Sequence, residues 1–159
     1  MKKAIAIILA VTFLCLLCGC DGEGTPQPKR YAATVKNTKV QIDADATQIL
    51  QSLGEWTTYG ESPSCAFEGL DKIYGYGAFD ILTYPLNGKD YISGIYLNDD
   101  SYATEEGIAV GADKNAVIQA YGEADSESAT YLRYEGEGMS LTFLLKGGRV
   151  TNIQYVKNT

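Results

Sequence analysis

The stretch VQIDADATQILQSLGE, residues 40–55, is followed 68 positions later by IAVGADKNAVIQAYGE, residues 108–123. The two stretches align without a gap. Five of the sixteen positions are identical, and four more exchange one aliphatic residue for another. Self-similarity at a fixed offset indicates that one supersecondary unit is used twice. The sequence therefore predicts a tandem repeat.

Each copy carries the signals of a short helix. Asp45 and Asp113 are residues that cap a helix N-terminus. Gly54 and Gly122 are suited to ending one, because glycine adopts a positive φ readily. Between these caps, apolar residues recur at the i, i+1, i+4 spacing of one helix face. They are Ile49, Leu50 and Leu53 in the first copy and Val117, Ile118 and Tyr121 in the second.

Three segments rich in aromatic and β-branched residues follow each helix, separated by glycine-containing turns. They are residues 72–77, 78–84 and 91–97 in the first copy and residues 131–135, 139–145 and 150–156 in the second. The predicted fold is α+β, with two tandem α-β-β-β repeats at residues 39–98 and 99–159. We expect one antiparallel sheet of about six to eight strands, with both helices on one face and the other face open.

This pattern resembles the helix-plus-sheet repeat of the β-lactamase-inhibitor-protein-like fold. The resemblance is carried by GIAVG (residues 107–111), VI (117–118), YG (121–122), MSLTF (139–143) and GRVTNI (148–153). Small outer-membrane assembly lipoproteins of the SmpA/OmlA type have a similar single unit, and lipoproteins of Gram-positive anaerobes resemble the whole mature chain. The resemblance implies the tandem fold. Inhibitors of that fold family bind their targets with the open concave sheet face, but the chain has no matching contact motif, so function is not transferred.

The first 19 residues are predicted to be a signal peptide. A basic start, Met1-Lys2-Lys3, precedes an apolar run of about 14 residues, whereas a membrane-spanning helix needs about 20. The end of this leader, Leu17-Cys18-Gly19-Cys20, resembles the bacterial lipobox. That resemblance implies a lipid on Cys20 and attachment to the outer face of a cell membrane; ordinary secretion with cleavage elsewhere is the alternative. Residues 20–38, rich in Gly, Pro and charge at their start, are predicted to form a flexible tether.

Removal of the leader would make the chain more acidic. Eleven basic and 20 acidic residues remain, so the net charge becomes 11 − 20 = −9. This predicts no nucleic-acid partner and leaves membrane attachment to the acyl chains. After processing, Cys65 is the one remaining thiol. We expect it to pack as a small apolar residue, with intermolecular pairing or reactivity as the alternative.

The composition argues against an enzyme. The chain has no His, which excludes His-based acid–base catalysis, Ser-His and Cys-His nucleophiles and histidine metal sites. Carboxylate pairs occur at Asp43/Asp45, Asp99/Asp100, Glu105/Glu106 and Glu135/Glu137. They lie in turn-like sequence and are expected to be solvated, although a glycosidase uses two carboxylates. The segment of residues 98–101 lacks the spacing of a dedicated calcium loop. We predict no cofactor and no metal.

Tyrosine supplies the most informative binding signal. There are 12 tyrosines, most of them in predicted strands. Tyrosine suits recognition surfaces, but it is also a good strand residue. If Ile95 and Leu97 face the helices, alternation sends Tyr96 to the open face, and the same argument applies to the other strands. The candidate binding residues are Asp80, Tyr84, Tyr96, Tyr131, Arg133, Thr142 and Gln154.

The first copy also carries about ten extra residues between Gly54 and Tyr74, including Trp56, an eighth candidate. Insertions in one repeat commonly lie on the binding side; alternatively, residues 65–67 add a strand. The predicted function is a non-enzymatic, membrane-anchored module that binds a protein or peptide. The alternative is small-molecule or glycan binding through aromatic side chains, with Tyr96 and Trp56 stacking on sugar rings.

Overall fold

A computed structural model describes residues 29–158. The predicted signal peptide and the predicted lipidation site, Cys20, lie outside the described residues. Within residues 29–158, none of the helices has the length and apolar character needed to cross a membrane.

The described chain forms two helices and ten strands. In chain order they are β1 (Ala32–Val35), β2 (Thr38–Gln41), α1 (Ala46–Leu53), β3 (Thr58–Pro63), β4 (Leu70–Gly75), β5 (Phe79–Leu86), β6 (Lys89–Leu97), α2 (Lys114–Tyr121), β7 (Ser126–Glu127), β8 (Tyr131–Gly136), β9 (Met139–Lys146) and β10 (Arg149–Lys157). The six strands predicted from aromatic and β-branched alternation correspond to β4, β5, β6, β8, β9 and β10, and both predicted helices are present.

Eight of the strands form one antiparallel sheet in the order β3-β4-β5-β6-β10-β9-β8-β7. The strands that follow α1 occupy one half of the sheet, and those that follow α2 occupy the other. The halves meet where β6 pairs with β10, with Tyr96 opposite Gln154. The predicted count of three strands after each helix is wrong by one, because β3 and the two-residue β7 extend the sheet at its edges.

Both helices begin and end at the predicted positions, but only one of the two caps forms. Asp45 Oδ1 accepts a hydrogen bond of 3.0 Å from the backbone N–H of Thr47. Asp113 occupies the predicted N-cap position of α2, but its side chain makes no capping hydrogen bond. Its carboxylate lies 3.5 Å from a guanidinium nitrogen of Arg149 instead.

The core lies on one face of the sheet. Alternate strand residues point into it, and the helices and the β1–β2 hairpin cover it. The fully buried strand residues include Ile81, Ile95, Leu97, Leu141, Phe143 and Ile153; the covering elements contribute Val35, Val40, Ala46, Leu53 and Val117. No helix within residues 29–158 covers the opposite face of the sheet.

The predicted tether is too long. Residues 31–38 are folded, since β1 pairs with β2 and Ala33 and Val35 are buried. The physical reason is coverage: two eight-residue helices are each about 12 Å long and 10 Å wide, whereas eight strands span about 34 Å. The hairpin covers part of the apolar face that the helices leave bare.

Candidate functional site

Five of the predicted binding residues lie in one row across the open face. Each is the direct register partner of the next, in the order Asp80, Tyr96, Gln154, Thr142 and Arg133, on strands β5, β6, β10, β9 and β8. Side chains of direct partners have Cβ atoms about 4.5–5.5 Å apart, so the five form a continuous strip. All five are partly exposed. We call them the central row.

Polar contacts fix both ends of the central row. At one end, Asn98 Nδ2 donates to Asp80 Oδ2 at 2.9 Å, and Asn152 Nδ2 donates to Asn98 Oδ1 at 3.0 Å. At the other end, Arg133 Nε donates to Glu135 Oε1 at 2.6 Å. A guanidinium has five N–H donors, so the bond that orients Arg133 leaves others for a partner molecule.

Tyr131 lies beside the central row. It is two residues from Arg133 on β8, opposite Leu144 of β9, and its hydroxyl is 3.1 Å from Ser126 Oγ. Together with Arg133, Thr142 and Leu144, it lines a shallow cavity of about 530 Å³ on the second half of the sheet.

A second cavity, of about 560 Å³, lies on the open face of the first half. Its floor follows the register row of Ile73, Leu82, Gly94 and Val156. Gly94 itself is buried, because the Leu82 side chain packs closely against it. We call this cavity the loop groove. Tyr96 lines it, which makes the groove continuous with the central row.

The wall of the loop groove comes from the insertion in the first copy, with Ser62, Ser64, Ala66 and Phe67 among its lining residues. The alternative prediction, a strand at residues 65–67, is wrong. These residues are bends between β3 and β4, and the additional strand is β3. Cys65 is exposed in this wall, so the expectation that it packs as a small apolar residue is also wrong.

Tyr84 lies on the open side of β5 but is covered. Only 7 % of it is exposed, because the ring of Phe67 packs against it with 4.9 Å between centroids. The insertion therefore removes Tyr84 from the predicted set of exposed contacts.

The Tyr84 hydroxyl is bound within the protein. It donates a hydrogen bond to Asp43 Oδ1, and Lys157 Nζ donates to the same oxygen at 2.8 Å. Burial and the Asp43 carboxylate together raise the pKa of Tyr84 to about 12. Partial burial acts to raise the pKa of Asp43, but the hydrogen bonds from Lys157 and Tyr84 outweigh it and lower that pKa.

Trp56 does not join the central row. Its ring lies 5.0 Å from that of Tyr74, a core residue, and 6.0 Å from that of Tyr59. Tyr59 and Tyr74 are register partners at the β3 edge, on the side that faces the helices. The predicted grouping of Trp56 with Tyr96 on one face is therefore wrong, although 46 % of Trp56 is exposed.

Within residues 29–158, no three or more Cys, Asp and Glu side chains converge as a metal site would require. In the acidic segment after β6, the Asn98 amide is bonded to Asp80, and Asp99 Oδ1 accepts a hydrogen bond of 2.9 Å from the Ser101 N–H.

Several residues of the open face were not among the predictions. Strand alternation was sufficient to find Leu82 and Val156, which are two positions from Asp80 and Gln154. Asp71 lies on β4 two positions from Ile73, but it precedes the predicted strand of residues 72–77. Phe67 lines the loop groove because of the way the insertion folds back, and no periodic signal marks it.

Comparison with known proteins gives no match: no protein family, no curated protein and no solved structure is significantly similar to this chain.

Proposed function

We propose that this chain is a non-enzymatic, membrane-anchored extracytoplasmic module that binds a protein or peptide with the open face of its sheet. The observation that carries the proposal is the central row, a continuous strip of five partly exposed side chains across five strands. The opposite face is occupied by the core, so the open face is the broad sheet surface that remains for a partner.

The chemistry of the open face supports recognition. The central row places five kinds of polar group side by side: a phenol, an amide, a hydroxyl, a carboxylate and a guanidinium. Two of the residues that carry them, Tyr and Arg, are of types enriched at binding hot spots. A sheet about 34 Å wide with strands about 17 Å long presents about 600 Å². That is close to the roughly 800 Å² that each partner buries in an interface of standard size.

The anchor and the repeat are parts of the same proposal. The lipobox-like end of the leader supports a lipid on Cys20. Two features support descent of the halves from one repeated unit: each helix is followed by four strands, and the last strands of the halves meet at the centre of the sheet. A fold resembling that of β-lactamase-inhibitor proteins would use its open face in the same way.

Site-specific photocrosslinking in intact cells tests the proposal. A photoreactive amino acid replaces Thr142 in the full chain expressed with its leader. The matched control carries it at Gln51, which is exposed on α1. We expect discrete crosslinked products from position 142 only, and their loss when Tyr96→Ala and Arg133→Ala are added. The same products from both positions, or none from position 142, would count against the proposal.

A second candidate, glycan or small-molecule binding, is favoured by a separate observation. Trp56 and Tyr59 have 46 % and 47 % of their surface exposed at the β3 edge, and exposed aromatic rings can stack on sugars. A glycan array probed with the wild-type chain, Trp56→Ala and Arg133→Ala separates the two functions. Glycan binding that is lost in Trp56→Ala and kept in Arg133→Ala would favour this candidate.

A further inference from the structure

The loop groove contains a carboxylate oxygen without a partner. Asp71 lies on β4 opposite Ser62 of β3 and lines the groove. Its Oδ1 atom is buried and has no hydrogen-bond partner among residues 29–158. A buried acceptor without a donor is unfavourable, so a donor that enters the groove gains a bond that the protein itself does not supply.

Both lysines that line the groove are bound to other acids. Lys72 Nζ lies 2.6 Å from Asp90 Oδ2, and Lys157 Nζ lies 2.8 Å from Asp43 Oδ1. No ion pair from the described part of the chain reaches Asp71. The charge that the groove presents to an incoming group is therefore negative.

Most of the surface of the groove is apolar. Leu82 and Val156 contribute to its floor, and the ring of Phe67 forms part of the wall. A cavity of about 560 Å³ falls within the roughly 300–1,000 Å³ of ordinary ligand sites. It has room for a large apolar side chain together with a second side chain that reaches Asp71.

We propose that the loop groove binds a basic and apolar segment of the partner protein, with an aliphatic or aromatic side chain against Leu82 and Val156 and a neighbouring Lys or Arg donating to Asp71. This inference rests on the proposed function and names the chemistry of its partner. A peptide segment is the occupant because the groove runs into the central row at Tyr96, where the same segment continues. The net charge of −7 attracts basic partners over longer distances.

Peptide selection tests this directly. Random hexapeptides displayed on phage are selected on the full chain, expressed with its leader and held in mild detergent. Binding of the enriched peptides, carrying a dye, is then measured by fluorescence anisotropy. Three proteins are compared: the wild type, Asp71→Asn, and Asp99→Asn as a matched control in an exposed loop.

We expect the wild type to enrich peptides with Lys or Arg within two positions of Leu, Ile, Phe or Trp. Their affinity should fall about tenfold or more in Asp71→Asn, since a charge-assisted hydrogen bond is lost, and should be unchanged in Asp99→Asn. Enriched peptides without a basic residue, or equal affinity for wild type and Asp71→Asn, overturn the inference. Failure to enrich any peptide overturns it too. Whatever the peptides show, the crosslinks from position 142 test the proposed function independently.

Discussion

The Tyr84 hydroxyl donates a 2.7 Å hydrogen bond to Asp43 Oδ1, across 41 positions of sequence. Asp43 precedes α1, and its backbone N–H donates to the Ile92 carbonyl of β6 at 2.9 Å. The same carboxylate oxygen binds Lys157 at the end of β10. One side chain thus connects the start of the first helix, the first half of the sheet and the last strand.

Replacing Tyr84 by Phe should lower the free energy of unfolding by about 1–2 kcal/mol, because a part-buried hydrogen bond to a carboxylate is lost. Urea titration followed by circular dichroism measures the change. Tyr131→Phe is the control, since the contact of its hydroxyl with Ser126 is exposed, and it should change stability by less than about 0.5 kcal/mol. Equal losses would contradict the structural role of the Tyr84 bond.

Asp43→Asn should be most destabilising at neutral pH. The folded protein lowers the pKa of Asp43, so the stabilisation is present above the ordinary carboxyl pKa of about 4 and is lost as pH falls through the lower folded value. Urea titrations from pH 7 to pH 2 should show the difference between wild type and Asp43→Asn shrinking as the pH falls. A difference that stays constant would show that the Asp43 charge does not contribute.

The two helix starts should respond differently to the same substitution. Asp45→Ala removes a side-chain bond to the Thr47 N–H and an ion pair with Lys89 Nζ at 2.9 Å, and should lower the free energy of unfolding. Asp113→Ala removes no cap bond and should cost clearly less. Thermal unfolding of the two variants measures the contrast, and the reverse order would show that the caps are assigned wrongly.

Neighbouring leucines of β9 should report which face is the core. Leu141 is fully buried, whereas Leu144 points to the open face and is partly exposed. Leu141→Ala should destabilise the protein by about 2–5 kcal/mol, and Leu144→Ala by about 1 kcal/mol or less. Similar losses in chemical denaturation would mean that the open face is also packed.

Cys20→Ala should release the protein from the membrane fraction if the lipid is its anchor, because the acyl chains supply the attachment. Fractionation of cells that express the full chain, followed by circular dichroism of the released protein, separates loss of the anchor from unfolding. Retention of Cys20→Ala in membranes would contradict the lipid anchor.

The sequence predicted most of the sheet because its strands obey local rules. In β6, β9 and β10, buried Ile95, Leu141 and Ile153 are each followed by a partly exposed residue, and glycine-containing turns separate the strands. Because the strands pair in register, the outward residues of five neighbouring strands then lie side by side and form the central row. For these residues, side-chain direction is a property of the strand alone.

The missed features depend on contacts that a local pattern does not contain. Strand β3, with the sequence TYGESP, includes Gly and Pro and has no apolar alternation; as an edge strand it pairs on one side only. The β1–β2 hairpin has two strands of four residues and is held by the core beneath it. Covering of Tyr84 by Phe67 follows from how the insertion folds, which strand periodicity does not predict.

If Cys20 carries a lipid, the early start of the folded chain limits how far the folded part can lie from a membrane. The carbonyl of Lys29 accepts a hydrogen bond from the N–H of Glu137, in the turn between β8 and β9. Only eight residues lie between Cys20 and Lys29, and the nine Cα–Cα steps from one to the other reach at most about 30 Å. If Cys20 carries the lipid, the folded part is attached to the membrane near this turn, and the turn stays within about 30 Å of the bilayer.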